Sequence, residues 1–543
     1  MNPLWSDLTL PPIRRELLFG DRVVHTFAAR PAHVSALLQS AACVHGEQLA
    51  LIDGELQLNW AQLQATVQRL AGGLRAQGIV PGDRVVIWLS NRHEFVLAWA
   101  AVLWCGAIAV PVSVRETGDG LAYVLNQCAA RGLITESSQW PLCQDLPSVK
   151  ALCLRTQVNA SAGPAADHTP WHTLLAAAPL SDPHRVAEAD VATILYTSGT
   201  TGKPKGAMLT HVNIVHSCLH FAAVMGLNAD DRTLLAVPAS HVTGLIANIA
   251  TMIAVGGAII VQREFKAGDF LALAARAGMT HTLMVPAMYK LLLMHADFAQ
   301  TDLSAWRVGG YGGAPMPVST IDALAQALPQ LMLHNTYGAT ETTSPTTTVP
   351  RGMTRDHIDS VGIPLPCARV AVMDDDGREV APGETGEIWI SGPMVVKGYW
   401  DNPEATAKEF SAGWWHSGDL GSMDAQGFVR VFDRKKDMLN RGGYKIYSIE
   451  VENHLMGLAG VLEAAVVAKP CPVRGERVHV FIHAPAALLS LSDVQAHCAK
   501  ALADYKVPES VSWCPTPLPR NPNGKVLKRV LREQLLKELG LAT

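Results

Sequence analysis

Two long uncharged stretches constrain the fold of this chain more than any other feature. Residues Phe95 to Val114 and Val242 to Gln262 each run for about 20 residues without a charge, which is long enough to cross a bilayer. The first is interrupted at Cys105-Gly106 and again at Pro111, and the second is interrupted at Gly256-Gly257. A short apolar run follows each glycine break. We therefore predict a helix, a turn and a buried strand in each stretch, without a transmembrane segment.

The same alternation extends from about Leu37 to Ile260. Arg84 to Leu89 and Gly132 to Thr135 have strand patterns, and Glu94 to Trp104 has a helical pattern. This order predicts a parallel sheet covered by helices on both faces. A second α/β section is predicted from about Thr210 to residue 345.

Other parts of the chain have different compositions. Residues 155–190 are rich in Ala, Pro and Asp and predict a long connection. After Pro345, short strands such as Gly386 to Ile390 predict a small β-barrel or sheet. The charged cluster Asp433 to Asp437 predicts a solvated junction, because charge at this density is costly to bury. The last hundred or so residues contain enough helix and strand for a compact α+β domain.

The predicted fold class is therefore α/β, with two domains. Residues 1–435 are expected to form a large N-terminal domain of two α/β subdomains plus the small barrel. Residues 436–543 are expected to form an α+β C-terminal domain. A chain of 543 residues exceeds what one hydrophobic core normally supports.

Composition excludes several function classes. The net charge of −4 with interspersed signs gives no basic patch, so no nucleic-acid partner is expected. The ten cysteines are scattered without a CxxC pair, which predicts reduced thiols and neither a disulfide framework nor a zinc site. The N-terminus shows no secretory signal pattern, and a cytoplasmic location is expected. Oligomeric state is open, with a homodimer as one alternative.

The segment from Tyr196 to Gly206 carries the clearest chemical signal. It follows an apolar strand pattern, Val191 to Leu195, and contains three glycines, four Ser or Thr hydroxyls and two lysines. Glycine backbone, hydroxyls and ammonium groups together suit a polyphosphate. The spacing differs from the common phosphate loop, because Gly199 and Gly202 are only three apart and Pro204 follows the first lysine.

This segment resembles the core motif of the adenylate-forming superfamily, which includes acyl-CoA synthetases. The resemblance continues through Gly312-Gly313-Ala314-Pro315, Tyr337-Gly338-Ala339-Thr340-Glu341 and Ser417-Gly418-Asp419. It spans about Leu37 to Lys528. It implies ATP and Mg²⁺ as ligands, with Lys525, Thr200 and Glu341 as catalytic residues and Glu341 as the metal ligand. The implied ATP-binding residues are Thr197, Ser198, Gly199, Thr200, Thr201, Gly202, Lys203, Lys205, Gly313, Ala314, Pro315, Asn335, Tyr337, Gly338, Thr340, Asp419, Arg434 and Lys525.

The resemblance also implies that residues 1–435 are an AMP-binding domain with the acyl and ATP sites. Residues 436–543 would be a mobile lid domain that rotates between two half-reactions. Asp419 and Arg434 match positions that hold the ribose, and Lys525 matches a lysine that neutralises charge during adenylation. Lys436 matches the hinge. A coenzyme A site is implied at Arg441, Gly442, Gly443, Tyr444 and Lys445.

An acyl pocket is implied by the same resemblance. The residues are His241, Val242, Ile246, Tyr311, Gly312 and Ala339. The helix pattern from Leu245 to Ile253 has no charged residue. No acidic residue is evident to pair with a substrate ammonium, and no arginine is evident to hold a second carboxylate. An apolar monocarboxylic acid, aliphatic or aromatic, is therefore expected, with its chain length open.

The implied activity is an ATP-dependent acyl-CoA synthetase with coenzyme A as co-substrate. One alternative is a stand-alone adenylating enzyme that transfers the acyl group to a carrier protein or other acceptor. A remote alternative is a catalytically decayed nucleotide-binding protein.

Overall fold

The computed structural model describes residues 2–159, 168–197, 203–484, 489–521 and 525–541. The chain divides into two compact units. The first unit comprises Met1–Val370, Trp389–His416 and Gln426–Val429. The second comprises Ala371–Ile388, Ser417–Ala425 and Arg430–Thr543.

The first unit contains a seven-stranded sheet. All neighbouring strands are parallel except the first pair, which is antiparallel. This arrangement confirms the α/β pattern expected from the alternation of helices and β-branched runs. In spatial order the strands are Lys205–Thr210, Val191–Thr197, Ile108–Pro111, Arg84–Trp88, Gly132–Glu136, Leu154–Val158 and Thr169–Pro170.

A nine-stranded sheet forms the second α/β section. Its six central strands are parallel, and antiparallel strands extend it at both edges. The spatial order is Ile363–Pro364, Thr347–Thr348, Met332–Tyr337, Val308–Tyr311, His281–Met284, Arg232–Leu235, Ala258–Val261, Leu49–Asp53 and Leu56–Asn59.

The helices of the first unit have clear local start and stop signals. Thr210 and Asn213 form a capping box at the start of the helix His211–Met225, and Gly226 ends it with a left-handed φ of 61°. The α-helices are Val34–His45, Trp60–Ala76, His93–Trp104, Gly118–Gln127, Pro147–Lys150, Trp171–Leu175, His211–Met225, Thr251–Val255, Ala267–Ala277, Pro286–Leu293, Val318–Ala327 and Pro403–Glu409.

Both long uncharged stretches form a helix, a glycine turn and a strand. The first contains His93–Trp104 and Ile108–Pro111. The second contains a π-helix, Thr243–Ala250, which continues into Thr251–Val255 and is followed by Ala258–Val261. Among the described residues, no helix combines the length and apolar character needed to cross a membrane.

The remaining strands up to residue 434 form two further sheets. Ile13–Leu18 pairs antiparallel with Arg22–Phe27. The section expected to form a small barrel or sheet corresponds to a five-stranded sheet. Its order is Arg369–Met373, Gly386–Ser391, Trp414–Met423 and Phe410–Ser411, with Val429–Arg434 paired to Trp414–Met423.

The C-terminal part of the second unit has its own sheet and core. The strand order is Tyr444–Ile446, Leu439–Arg441, Gly475–His483 and Glu463–Cys471, with Ser510–Cys514 paired to Gly475–His483. The helices are Ser448–Leu455, Leu491–Cys498 and Lys528–Glu538. Buried apolar side chains including Leu439, Val451, Val466, Val480 and Val494 form a cluster within it.

Two expectations from the sequence are corrected by the structure. Residues 155–190 are not simply a connection, because Leu154–Val158 is a strand that pairs with Gly132–Glu136, and Trp171–Leu175 is a helix. The charged cluster after Phe432 is not wholly solvated. Asp433 is buried, where its carboxylate accepts a hydrogen bond from the backbone N–H of Ser448. This bond supplies the partner that makes burial of the carboxyl group tolerable.

Candidate active site

The segment expected to bind phosphate connects two antiparallel strands. Thr197, the last residue of Val191–Thr197, is paired with Lys205 at the start of the next strand. Lys203 is exposed between them. The other predicted loop residues, Ser198, Gly199, Thr200, Thr201 and Gly202, lie outside the described residues.

Glu341 lies beside the end of this hairpin. A short 3₁₀ turn, Thr340–Thr342, follows the strand Met332–Tyr337 and places the Glu341 side chain in a buried position. The Thr197 hydroxyl donates a hydrogen bond to Glu341 Oε1 at 3.3 Å. Two predicted site residues that are 144 positions apart in sequence are therefore adjacent.

Tyr399 holds the Glu341 carboxylate from the other side. Its hydroxyl donates to Glu341 Oε1 at 2.9 Å and also contacts the carboxylate of Glu409. Burial, followed by the negative charges of Glu341 and Glu409, raises the pKa of Tyr399, so the phenol keeps its proton. The proton is therefore retained as a donor for these carboxylates.

Lys205 completes this network. Its ammonium pairs with Glu409 and lies 4.3 Å from the centroid of the Tyr399 ring. The side chain is buried. Lys205 thus offsets the negative charge of Glu409 beside the Tyr399 hydroxyl. A direct contact between Lys205 and phosphate stays a prediction.

Removal of the Tyr399 hydroxyl tests this network. Because outer hydrogen bonds orient a metal-ligating carboxylate, we expect Tyr399→Phe to raise the Mg²⁺ concentration needed for half-maximal adenylation by about 10- to 100-fold. Tyr447→Phe, a tyrosine change outside the network, serves as the control. The network has no such role if the two variants show the same Mg²⁺ dependence.

The turn that follows the strand Val308–Tyr311 requires glycine at position 312. A Cβ on Gly312 would lie 2.4 Å from the carbonyl oxygen of Thr336, so this position excludes other residues. Gly313 has a left-handed φ of 78° and is exposed. Ala314 and Pro315, which follow it, are also exposed.

The neighbouring strand carries further predicted residues. Asn335 pairs in register with Tyr311, and its side-chain amide donates to the Ser360 carbonyl at 2.8 Å. The side-chain amide of Asn335 therefore fixes the backbone at Ser360 beside this strand. Tyr337, Gly338 and Ala339 connect the strand to the turn that contains Glu341.

His241 lies directly before the uncharged helix of the predicted acyl pocket. Its Nδ1 lies 3.2 Å from the Thr243 hydroxyl, and burial lowers the pKa of His241 to about 4. The imidazole is therefore neutral at physiological pH. Val242 and Ile246, on the same segment, are fully buried.

In the second unit, Asp419 and Arg434 form an ion pair with an N–O distance of 2.7 Å. The structure thus brings together the two residues expected to bind ribose. Lys525 is exposed, and its backbone exchanges hydrogen bonds with Asn521. The positive charge of Arg434 is the largest cause that lowers the pKa of Lys525, to about 8.

The residues predicted to form the coenzyme A site occupy a tight hairpin. Gly442 and Gly443 join its strands with φ values of 61° and 91°, a combination that other residues adopt at a cost. Arg441 forms an ion pair with Glu509 at 2.6 Å. Tyr444 is exposed and stacks on Tyr505, whereas Lys445 is exposed. Lys436 is exposed before this hairpin.

Sequence reasoning missed Tyr399 and Glu409. A tyrosine after Gly398 and a glutamate at the end of the helix Pro403–Glu409 have no spacing that predicts a link to Glu341. The link of Tyr399 and Glu409 to Glu341 is visible only once the segment between residues 389 and 416 is packed in the folded chain.

Comparison with known proteins identifies the family. The family model described as AMP-binding enzyme matches residues 38–400, and the model of the AMP-binding enzyme C-terminal domain matches residues 450–525. The chain belongs to the AMP-binding enzyme family. Feruloyl-CoA synthase of Amycolatopsis sp is 35% identical over 489 residues, which cover 89% of this chain and 95% of that protein.

Other relatives differ in the acceptor that their names state. A fatty acid–[acyl-carrier-protein] ligase of Streptomyces coeruleorubidus is 31% identical over 88% of this chain and 91% of its own length. The solved structure of o-succinylbenzoate CoA synthetase from Bacillus subtilis, in complex with its acyl-adenylate intermediate, matches this chain with a TM-score of 0.82 and 28% identity. That match covers 93% of this chain and 98% of the other. The same enzyme has been solved with ATP and magnesium ion. These relationships place the chain among the AMP-forming acid–thiol ligases.

The site around Glu341 suits a magnesium ion. A carboxylate and a hydroxyl, from Glu341 and Thr197, offer the hard oxygen donors that Mg²⁺ prefers.

Proposed function

We propose that this protein is an acyl-CoA synthetase that activates an apolar monocarboxylic acid. A carboxylate oxygen attacks the α-phosphorus of ATP, and pyrophosphate leaves to give an acyl-adenylate. The thiolate of coenzyme A then attacks the acyl carbon, and AMP leaves. The observation that carries the proposal is the hydrogen bond between Thr197 and Glu341, because it joins the two predicted phosphate- and metal-binding segments.

The residues would divide the chemistry among them. Glu341, oriented by Tyr399, would hold Mg²⁺, which neutralises phosphate charge when bound. Asp419 is suited to accept the ribose hydroxyls, with Arg434 beside it. The Lys525 ammonium would stabilise negative charge at the α-phosphate in the transition state.

The substrate class follows from the acyl-pocket residues. The π-helix Thr243–Ala250 carries no charge, and the neutral His241 offers no cation for a second carboxylate. The relative named for a feruloyl substrate supports an aromatic acid, and fatty-acid relatives support an aliphatic one. An apolar carboxylic acid with one charged end fits both.

A screen of acids for AMP release tests the proposal. The acids range from acetate to palmitate and include benzoate and phenylacetate, each with and without coenzyme A. We expect an apolar acid to give AMP release that depends on coenzyme A. A carrier protein offered in place of coenzyme A tests the alternative acceptor. The proposal fails if no acid releases pyrophosphate from ATP.

We further propose 1–435 and 436–543 as the functional domains, with Lys436 as the hinge. Proline fixes φ and removes a backbone donor, so it restricts rotation at this position. Lys436→Pro is therefore expected to preserve adenylation and to impair thioester formation. The measurements are pyrophosphate exchange and CoA-dependent AMP release. Lys436→Ala is the control, and equal thioester formation by both variants contradicts the hinge assignment.

A further inference from the structure

Three buried side chains with metal-ligating atoms meet beside the helix His211–Met225. His216 and His220 lie four residues apart on the helix His211–Met225, so they occupy the same face. Cys367 comes from the chain just before the strand Arg369–Met373. One ligand atom from each of the three lies within 4.8 Å of the others.

The two imidazoles have no polar partner in the part of the chain that the structure describes. Both nitrogens of His216 and both nitrogens of His220 are buried without a hydrogen bond. Each ring is 0% exposed, and Cys367 is 1% exposed. Buried polar side chains almost always have a partner, so four orphaned nitrogens indicate a bound ion or water.

Aromatic packing accounts for the position of the two imidazole rings, but it gives their nitrogens no hydrogen-bond partner. Phe27 stacks on His216 at a centroid distance of 5.2 Å and also contacts the His220 ring. These apolar contacts hold the faces of the rings and leave the nitrogen edges unsatisfied. If the two histidines served only this packing, each of their buried nitrogens would have lost its hydrogen bond to water without gaining another partner, which costs free energy of folding.

The two imidazoles already have the protonation state that a metal requires, whereas burial raises the pKa of the Cys367 thiol to about 12, so a metal would have to displace its proton. Burial lowers the pKa of His220 to about 3 and lowers that of His216, so both rings are neutral, which is the form that binds metals. Arg30 is near enough to act on His216 and Cys367, but it is itself paired with Glu16 and Glu188. Its charge is therefore largely compensated.

We propose that His216, His220 and Cys367 form a binding site for a zinc-class divalent cation, separate from the site for Mg²⁺ and ATP. Two imidazoles and a thiolate are soft or borderline ligands, which favour zinc over magnesium. Histidines at positions i and i+4 of a helix are a frequent zinc-binding arrangement. On binding, a metal–sulfur bond forms and the Cys367 S–H proton is released to solvent.

The geometry requires only small adjustments. Ligand atoms around tetrahedral zinc are separated by about 3.3–3.8 Å, given metal–nitrogen and metal–sulfur distances near 2.0–2.3 Å. The three ligand atoms already lie within 4.8 Å of one another, so modest rotations about the side-chain bonds would bring them to that range. Such an ion would tie the helix His211–Met225 to residue 367, so its role would be structural. The regular spacings of zinc motifs could not reveal it, because the cysteine is more than a hundred residues from the histidines.

Cobalt substitution of the full-length protein tests the proposal. After treatment with a chelator, Co²⁺ is titrated while the near-ultraviolet thiolate-to-cobalt charge-transfer band is recorded, and Zn²⁺ is then added as a competitor. We expect one saturable site per chain, loss of the band with Zn²⁺, and a higher melting temperature in the presence of Zn²⁺.

Matched variants show which residues bind the metal ion. Cys367→Ser is expected to abolish the charge-transfer band, and His220→Asn to weaken Zn²⁺ binding by at least about 10-fold. Cys218→Ser, which changes a buried cysteine on the same helix, should leave both unchanged. Circular dichroism confirms that each variant is folded. No band in the parent protein, or an equal band in Cys367→Ser, would overturn the proposal and leave ordered water as the partner of the rings.

Discussion

Replacement of Lys525 by alanine is expected to lower the rate of adenylation by roughly 10²-fold or more, which corresponds to about 3 kcal/mol of transition-state stabilisation. The attacking carboxylate and the α-phosphate are both anionic, so an ammonium group near them lowers the barrier. Acid-dependent pyrophosphate exchange measures this half-reaction directly.

Two comparisons make the Lys525 experiment specific. Arg529→Ala removes an exposed cation that pairs with Glu533 on the following helix, and it should leave exchange unchanged. Thioester formation from a supplied acyl-adenylate should be affected much less by Lys525→Ala than adenylation is. The assigned role is wrong if Lys525→Ala exchanges pyrophosphate as fast as the parent enzyme.

The lowered pKa of Lys525 predicts a pH dependence of the same half-reaction. The positive charge of Arg434 is the main cause that brings this pKa to about 8, so the ammonium is present below that pH and is lost as pH rises through it. We expect kcat/KM for adenylation to fall above about pH 8, because this parameter reports groups of the free enzyme. Lys525→Arg keeps its charge at higher pH and should move the alkaline limb upward or abolish it.

Replacement of Glu341 by glutamine is expected to have an effect of similar size. The amide retains the shape of the side chain but removes the negative charge that would hold Mg²⁺ beside the phosphates. By comparison with the loss of one stabilising group at a transition state, the adenylation rate should fall by about 10²- to 10³-fold. The rate is measured over a range of Mg²⁺ concentrations, so that weaker binding is distinguished from slower chemistry.

Glu404→Gln provides the control for Glu341. It also converts a glutamate to glutamine, but Glu404 is exposed in the first turn of the helix Pro403–Glu409. This variant should retain the parent rate and Mg²⁺ dependence. If Glu341→Gln also does so, Glu341 is not the metal ligand, and the Tyr399 network has another purpose.

Sequence patterns were sufficient where the structure depends on local chemistry. The glycine breaks at Gly106 and Gly256 correctly separate helices from buried strands, because both residues adopt left-handed φ values near 75°. The apolar and β-branched run Val191 to Leu195 predicted a strand that the structure contains. The assignment of Thr197 and Glu341 to the ATP and metal site came from the family resemblance and not from periodicity, and their hydrogen bond was not predicted.

Long-range packing could not be obtained in this way. Nothing in the sequence around Asp433 indicates that the backbone N–H of Ser448 allows it to be buried. Tyr399 and its link to Glu341 depend on how distant segments of the first unit pack. The cluster of His216, His220 and Cys367 has the same origin, because its members approach one another only in the folded chain.

The route of a carboxylate oxygen tests the central claim most directly. An acid that is active in the screen is labelled with ¹⁸O in its carboxyl group and converted completely with ATP and coenzyme A. Attack at the α-phosphorus followed by thiolysis leaves one ¹⁸O atom in AMP and none in pyrophosphate, and mass spectrometry of both products should show this. Unlabelled AMP, or label in pyrophosphate or free phosphate, would contradict the acyl-adenylate mechanism.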